Sequence, residues 1–275
     1  MNFTTPEAST NSTTQSTASL ESLDIFLYSI GFLFGLPIHS YVIWLTITGT
    51  GSGVASEFFN LNLSVCEIGN SLTGLISVLS VNFSSFLTLS YFLQGLAITG
   101  RPLFQCLMCV ERYLAVVHPV TFLKYKPLRY RVICSSAAWI ITLGSCLGCM
   151  IILMLSIMIY AWFFSLQFLL FLSIQLFCLV TVLRALKQSG PGERGRARKE
   201  ANHVKRRAFY FILITTVNMV IIYVPLILAG FFDILMKHNM LLLWDPAVVC
   251  YVLAGFVPPV LFLHRTGKLF CLCFS

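Results

Sequence analysis

Val132-Ile133-Cys134-Ser135-Ser136-Ala137-Ala138-Trp139-Ile140 opens a stretch that reaches Thr181-Val182-Leu183 without one Asp, Glu, Lys, Arg or His. The 52 residues between Arg131 and Arg184 are too many for one membrane span, since about 20 apolar residues cross the hydrocarbon core. They are also too apolar for a soluble domain, in which about a quarter of the residues are charged. The stretch reads as two spanning helices, 132–157 and 159–183, divided near Ser156–Trp162 by a very short turn.

Working outward, the same logic covers the whole chain. Of 275 residues, 57% are hydrophobic and 10% charged, which marks an integral membrane protein and excludes a soluble enzyme, a nucleic-acid-binding domain and a disulfide scaffold. Further apolar segments fall at about 25–48, 57–80, 86–116, 208–232 and 241–264. Arg101-Pro102 interrupts the third. The expected fold is all-α: a seven-transmembrane helix bundle over residues 24–264, preceded by an extracellular tail (1–23) and followed by a short amphipathic tail (265–275). The first tail is rich in Ser and Thr and has neither the basic start nor the apolar centre of a signal peptide, so it reads as disordered.

Orientation follows from the cations. Residues 1–100 contain no Lys or Arg, whereas nine lie between Arg184 and Arg207. With the N-terminus outside and the C-terminus inside, 16 of the 18 Lys and Arg face the cytoplasm, as the positive-inside rule requires. A basic run beside apolar segments is that signature, not a nucleic-acid patch, and it suits anionic membrane lipids as a partner. In this orientation Asn2 and Asn11, each in an Asn-x-Thr triplet, are glycosylation acceptors.

Cys106-Leu107-Met108-Cys109 and Cys146-Leu147-Gly148-Cys149 have the spacing of metal or redox pairs. Both lie inside apolar spans, where a charged metal–thiolate group is costly and a Cys is an ordinary small packing residue. No metal and no cofactor is expected. Cys271 and Cys273 follow the last span beside Phe270 and Leu272, in a setting that suits palmitoylation.

Glu111-Arg112-Tyr113, continued by Leu114-Ala115-Val116-Val117-His118-Pro119, resembles the acidic-Arg-Tyr motif and second inner loop of rhodopsin-like G-protein-coupled receptors. Four further landmarks fall in register. Asn62-Leu63-Ser64-Val65-Cys66-Glu67 resembles the second-helix signature, and Trp139 sits where the fourth helix keeps its Trp. Tyr223-Val224-Pro225 resembles the sixth-helix aromatic-x-Pro bend, and Pro258-Pro259-Val260-Leu261-Phe262 resembles the seventh-helix Asn/Asp-Pro-x-x-Tyr motif.

The resemblance implies a cell-surface receptor that passes an extracellular signal to a heterotrimeric G protein. Glu111, Arg112, Tyr113, Pro119 and Val120 would form the coupling surface, with Glu111 holding Arg112 until the partner arrives. Met219, Tyr223, Pro225, Pro258, Pro259 and Phe262 would form the switch, with Pro225 as hinge because it removes a helix hydrogen bond. Some positions depart from the family pattern. Leu87 replaces the outer disulfide Cys, His39 the first-helix Asn and Lys205 the sixth-helix acid. Met219, Tyr223 and Phe262 stand for the family's Phe, Trp and Tyr. These departures keep open a second function, a non-signalling dimer partner or ligand scavenger. A transporter would use Glu67, Arg101 and His39 as its polar path. An enzyme lacks any nucleophile–base pair.

Arg101 precedes Arg112 by 11 positions, about 16 Å at the helical rise. Glu67 lies 10 residues into the second span, about 15 Å from the same face. Matched depth on neighbouring helices predicts a buried ion pair, because a lone charge there costs at least about 2.5–3.5 kcal/mol. By the resemblance, Glu67 stands for the family's sodium-binding Asp and Arg101 for a polar sodium ligand, so a guanidinium takes the ion's place. The outer halves of the spans supply Tyr91, Gln94, Gln167 and Tyr223 as pocket candidates and, apart from Arg101, no cation. An apolar small molecule or lipid is therefore the expected ligand. No Lys lies within 241–264, which excludes a retinal Schiff base.

Overall fold

The computed structural model describes residues 10–48, 57–125, 128–187, 196–236 and 241–266, which form helices and no strand. In chain order these are α1 (Thr10–Ile47), α2 (Phe58–Asn82), a 3-10 turn (Ser84–Phe86), α3 (Leu87–Gly95), a π-turn (Leu96–Gly100), α4 (Arg101–Val117), α5 (Pro119–Tyr125), α6 (Leu128–Leu155), α7 (Ile157–Lys187), α8 (Arg196–Met236), α9 (Leu241–Gly255) and α10 (Val257–Thr266).

Among the described residues, six helical segments are long and apolar enough to cross a membrane: Ile25–Ile47, Phe58–Ser80, Leu128–Leu155, Ile157–Lys187, His203–Phe232 and Leu243–Thr266. The third expected span, 86–116, is helical from end to end but is not one α-helix. The reason is local. Pro102 has no N–H to give Ile98, and its ring collides with that carbonyl in an unbroken α-helix. The chain widens into the π-turn just before it, so that the Arg101 N–H bonds the Leu96 carbonyl instead. Gly100-Arg101-Pro102 is therefore helix and not a turn.

The other boundaries also have physical causes. Helix α1 begins at Thr10, inside the stretch expected to be a disordered tail; no Gly or Pro between Thr10 and Ile30 interrupts it. Asn11 lies on this helix, whereas Asn2, Cys271 and Cys273 fall outside the described residues. Only Ser156 separates α6 from α7. Helix α8 starts within the basic segment, well before the expected 208, and carries Pro225 inside it. The last span breaks at Phe256, where Pro258 and Pro259 withhold the N–H groups that Ala254 and Gly255 would need.

The helices pack as a ring in which α1 touches α2 and α9, α9 touches α8, α8 touches α7, and α7 touches α4. Helix α3 packs on α6 so closely that a Cβ on Gly95 would come 2.5 Å from the Cys146 backbone. Helix α4 is the hub. Its Phe104 and Met108 join Leu63 and Cys146 in one cluster, Cys106 joins Met219 and Tyr223 in a second, and Cys109 joins Cys178 and Ile212 in a third. The outer faces of α6 and α7, with Ile140, Leu147, Leu166 and Phe177, are apolar and exposed, as surfaces solvated by lipid are.

Candidate functional site

Two sites lie along α4, one at each end of its buried face. The first is built around Arg101, which leaves the first turn of α4 and is only 3% exposed. Its Nε donates to Glu67 Oε1 and its Nη2 to Glu67 Oε2, both at 2.6 Å. This two-pronged geometry is the strong form of a guanidinium–carboxylate pair. The Tyr251 ring covers the guanidinium 4.5 Å from its carbon, a cation–π contact in a water-poor place. Asn70, one helical turn beyond Glu67, donates to Glu67 Oε2 at 3.3 Å.

This arrangement does not fit a sodium ion. Both Glu67 oxygens are engaged by a permanent cation, Pro258 supplies no side-chain oxygen, and among the described residues no cluster of three His, Cys, Asp or Glu could hold a metal.

Beyond the pair, toward the end of the bundle that holds Phe83 and Ser156, lies a cavity of about 240 Å³. Its wall is aromatic and amide-bearing (Tyr28, Gln94, Tyr160, Tyr223, Trp244 and Tyr251 among others) and includes no charged residue among the described residues. Gln94 and Tyr223 thus line it, whereas Tyr91 and Gln167 are absent from the wall. Gln167 is turned to the α4–α6 side, where it accepts from Thr99 at 2.6 Å while Thr99 lies 2.5 Å from the Ser145 hydroxyl. Helix rotation decides this, and residue type carries no signal of it. Tyr223 forms the cavity floor and donates to the Ala97 carbonyl at 2.5 Å. Met219, one turn away on α8, is fully buried below it.

The second site is at the basic end. Arg112 lies over the Phe211 ring at 5.6 Å and makes no ion pair among the described residues. Glu111 does not hold it: Glu111 pairs with Arg131 of α6 at 2.5 Å. Adjacent residues on a helix point about 100° apart, so they do not face each other, and Glu111 finds its cation on the neighbouring helix. Glu57, at the start of α2, pairs with Arg265 in the last turn of α10. Arg112, Glu111, Glu57, Arg265 and Phe211 all border one small opening of about 20 Å³. Pro258 and Phe262 complete it, and Phe262 also packs on Val42 and Leu45. Tyr113 stands 3.1 Å from His118 Nε2, Pro119 starts α5, and Val120 is 81% exposed.

Sequence reasoning missed Arg131, Glu57 and Arg265 as partners. Their only signal was a charge at the same membrane boundary, which many residues share. It also missed the Trp139 indole bond to Asn62 Oδ1 at 2.9 Å, which ties α6 to α2.

No protein-family profile matches the chain. Curated relatives do. The chain is similar to mouse chemokine XC receptor 1, at 28% identity over 62% of this chain and 58% of the relative. It is similar to a somatostatin-like receptor of Takifugu rubripes, at 28% over 50% of each. It is also similar to rat hydroxycarboxylic acid receptor 2, at 27% over 76% of this chain and 62% of the relative. The aligned region thus spans between half and two thirds of the length of these relatives. These relatives are receptors, not enzymes.

Proposed function

We propose that this chain, a divergent rhodopsin-like G-protein-coupled receptor of the plasma membrane, binds a small uncharged, lipid-like molecule in the 240 Å³ cavity and couples to a heterotrimeric G protein at its basic end. The α3–α4 helix serves as the seventh span, with the N-terminus and the large cavity outside and the basic end in the cytoplasm. Residues 24–264 form the bundle. Asn2 and Asn11 are then glycosylation sites, and Cys271 and Cys273 lipid attachment sites.

The observation that carries this reading is Arg112. It is a guanidinium at the membrane boundary with no carboxylate paired to it among the described residues, because Glu111 is taken by Arg131. A free, oriented Arg beside a closed cleft is ready for a partner's carbonyl or carboxylate group. Tyr113, Pro119 and the exposed Val120 extend the same surface. Pro225 lets the basic half of α8 move relative to its other half, which opens the cleft that Phe211 and Phe262 now fill. The Glu67–Arg101 pair takes the structural place of the family's sodium ion, so the resting state needs no bound cation.

The test is basal guanine-nucleotide exchange in membranes expressing the protein, compared with Arg112→Ala at equal surface level. Exchange that disappears with Arg112→Ala supports coupling through this residue. Equal exchange in both forms, at the level of untransfected membranes, overturns it and favours a non-signalling receptor-fold protein.

A further inference from the structure

Beside the ion pair lies a second, smaller cavity of about 40 Å³, bordered by α1, α2, α4 and α9. Three of the residues on its wall each carry a buried polar atom with no hydrogen-bond partner among the described residues: His39 Nδ1, Asn70 Oδ1 and Arg101 Nη1. Each belongs to a side chain more than nine-tenths buried. Buried polar groups in folded proteins are almost always bonded, so three orphans around one cavity point to an occupant. The space is large enough to hold water and is much smaller than the large cavity. It adjoins the large cavity, with which it shares Tyr28, Asn70, Gly74 and Tyr251.

The chemistry of the occupant follows from the orphans. Arg101 Nη1 can only donate, and Asn70 Oδ1 can only accept. Asn70 is oriented this way because its amide nitrogen is committed to Glu67. The occupant must therefore both accept and donate. A hydroxyl does both; a carboxylate only accepts and would face Asn70 Oδ1 oxygen to oxygen. Charge argues the same way. Glu67 already balances Arg101 through two bonds, so an entering anion would lie uncompensated at this depth.

We propose that the small cavity is the polar compartment of the ligand site, taking the uncharged terminal hydroxyl of a molecule whose apolar body fills the large cavity. The proposal rests on the large cavity being the ligand site. The hydroxyl oxygen accepts from Arg101 Nη1 and its O–H donates to Asn70 Oδ1 or His39 Nδ1. Water fills the compartment before the ligand arrives.

The experiment uses the full chain in lipid nanodiscs and reads thermal unfolding as 1-dodecanol, dodecane or dodecanoate is added at matched mole fraction in the bilayer. Wild type is compared with His39→Leu and Asn70→Leu. Dodecanol is expected to half-saturate the stabilisation at about tenfold lower mole fraction than dodecane, with no such advantage for dodecanoate. The advantage falls to about onefold in both variants, while dodecane acts on His39→Leu, which borders the small cavity and not the large one, as on wild type. If one variant does not fold, the other gives the same comparison. Equal action of alcohol and alkane on wild type, or an alcohol advantage that survives in both variants, overturns the polar compartment and leaves the large cavity as an apolar site. If neither additive moves wild-type unfolding, the apolar-ligand reading falls and this proposal with it; exchange dependent on Arg112 then reports separately on receptor function.

Discussion

The Tyr223 hydroxyl donates to the carbonyl of Ala97 at 2.5 Å, and that carbonyl is available because of a proline five residues on. In the π-turn the Arg101 N–H goes to Leu96, so it is not free for Ala97. The next residue that could serve Ala97 is Pro102, which has no N–H. Tyr223, two residues before Pro225 on α8, supplies the missing donor. The irregular winding of one helix and the proline bend of another are thus joined by a single bond between the cavity floor and the hub helix.

Tyr223→Phe removes only this donor. It is expected to destabilise the protein by about 1–3 kcal/mol, the cost of leaving a buried acceptor unpaired. Thermal unfolding in nanodiscs measures it, and a change under about 0.5 kcal/mol, the size of an ordinary surface substitution, would show that the carbonyl finds another partner.

Removing one member of the Glu67–Arg101 pair leaves the other charged and buried. Glu67→Leu and Arg101→Leu are each expected to cost about 3–5 kcal/mol and to abolish surface expression. The double variant, with no charge left to solvate, regains most of it. Additive losses in surface labelling would mean that the two residues do not depend on each other.

At the basic end, Glu57–Arg265 ties the start of α2 to the end of α10 next to Arg112. If this contact keeps the cleft closed, Glu57→Gln or Arg265→Gln raises basal nucleotide exchange by about two- to fivefold, the scale of a partly exposed ion pair. The reversed pair, Glu57→Arg with Arg265→Glu, returns it to the wild-type rate. Unchanged exchange in both single variants would assign the pair to folding alone.

Val120 is 81% exposed. Val120→Asp is therefore expected to leave stability within about 0.5 kcal/mol while abolishing exchange, since it would put a charge into the apolar contact proposed with a G protein. Retained exchange would remove Val120 from the coupling surface.

Much of the architecture was legible in the residues alone. A chain without charge from 132 to 183 has no choice but to cross a membrane, because nothing in water can cover it. That Glu67 and Arg101 share a depth is arithmetic on residue numbers, and the bilayer's low dielectric makes such charges seek each other. Pro102 and Pro258-Pro259 announce where a helix must deviate, since a missing N–H is a covalent fact.

Other relationships depended on how the helices are turned against one another. The choice of Arg131 over Arg112 for Glu111, the Glu57–Arg265 contact, the removal of Gln167 from the cavity wall and the gathering of His39, Asn70 and Arg101 around one small cavity all follow from rotations and tilts set by packing. The pattern of apolar residues could not encode these, because a lipid-solvated helix is apolar on its outer face as well as its inner one. What the sequence by itself determined was which segments leave water and at what depth each charge lies; the tertiary structure alone decided which side chains meet, because in a bilayer the solvent dictates depth and only close packing dictates rotation.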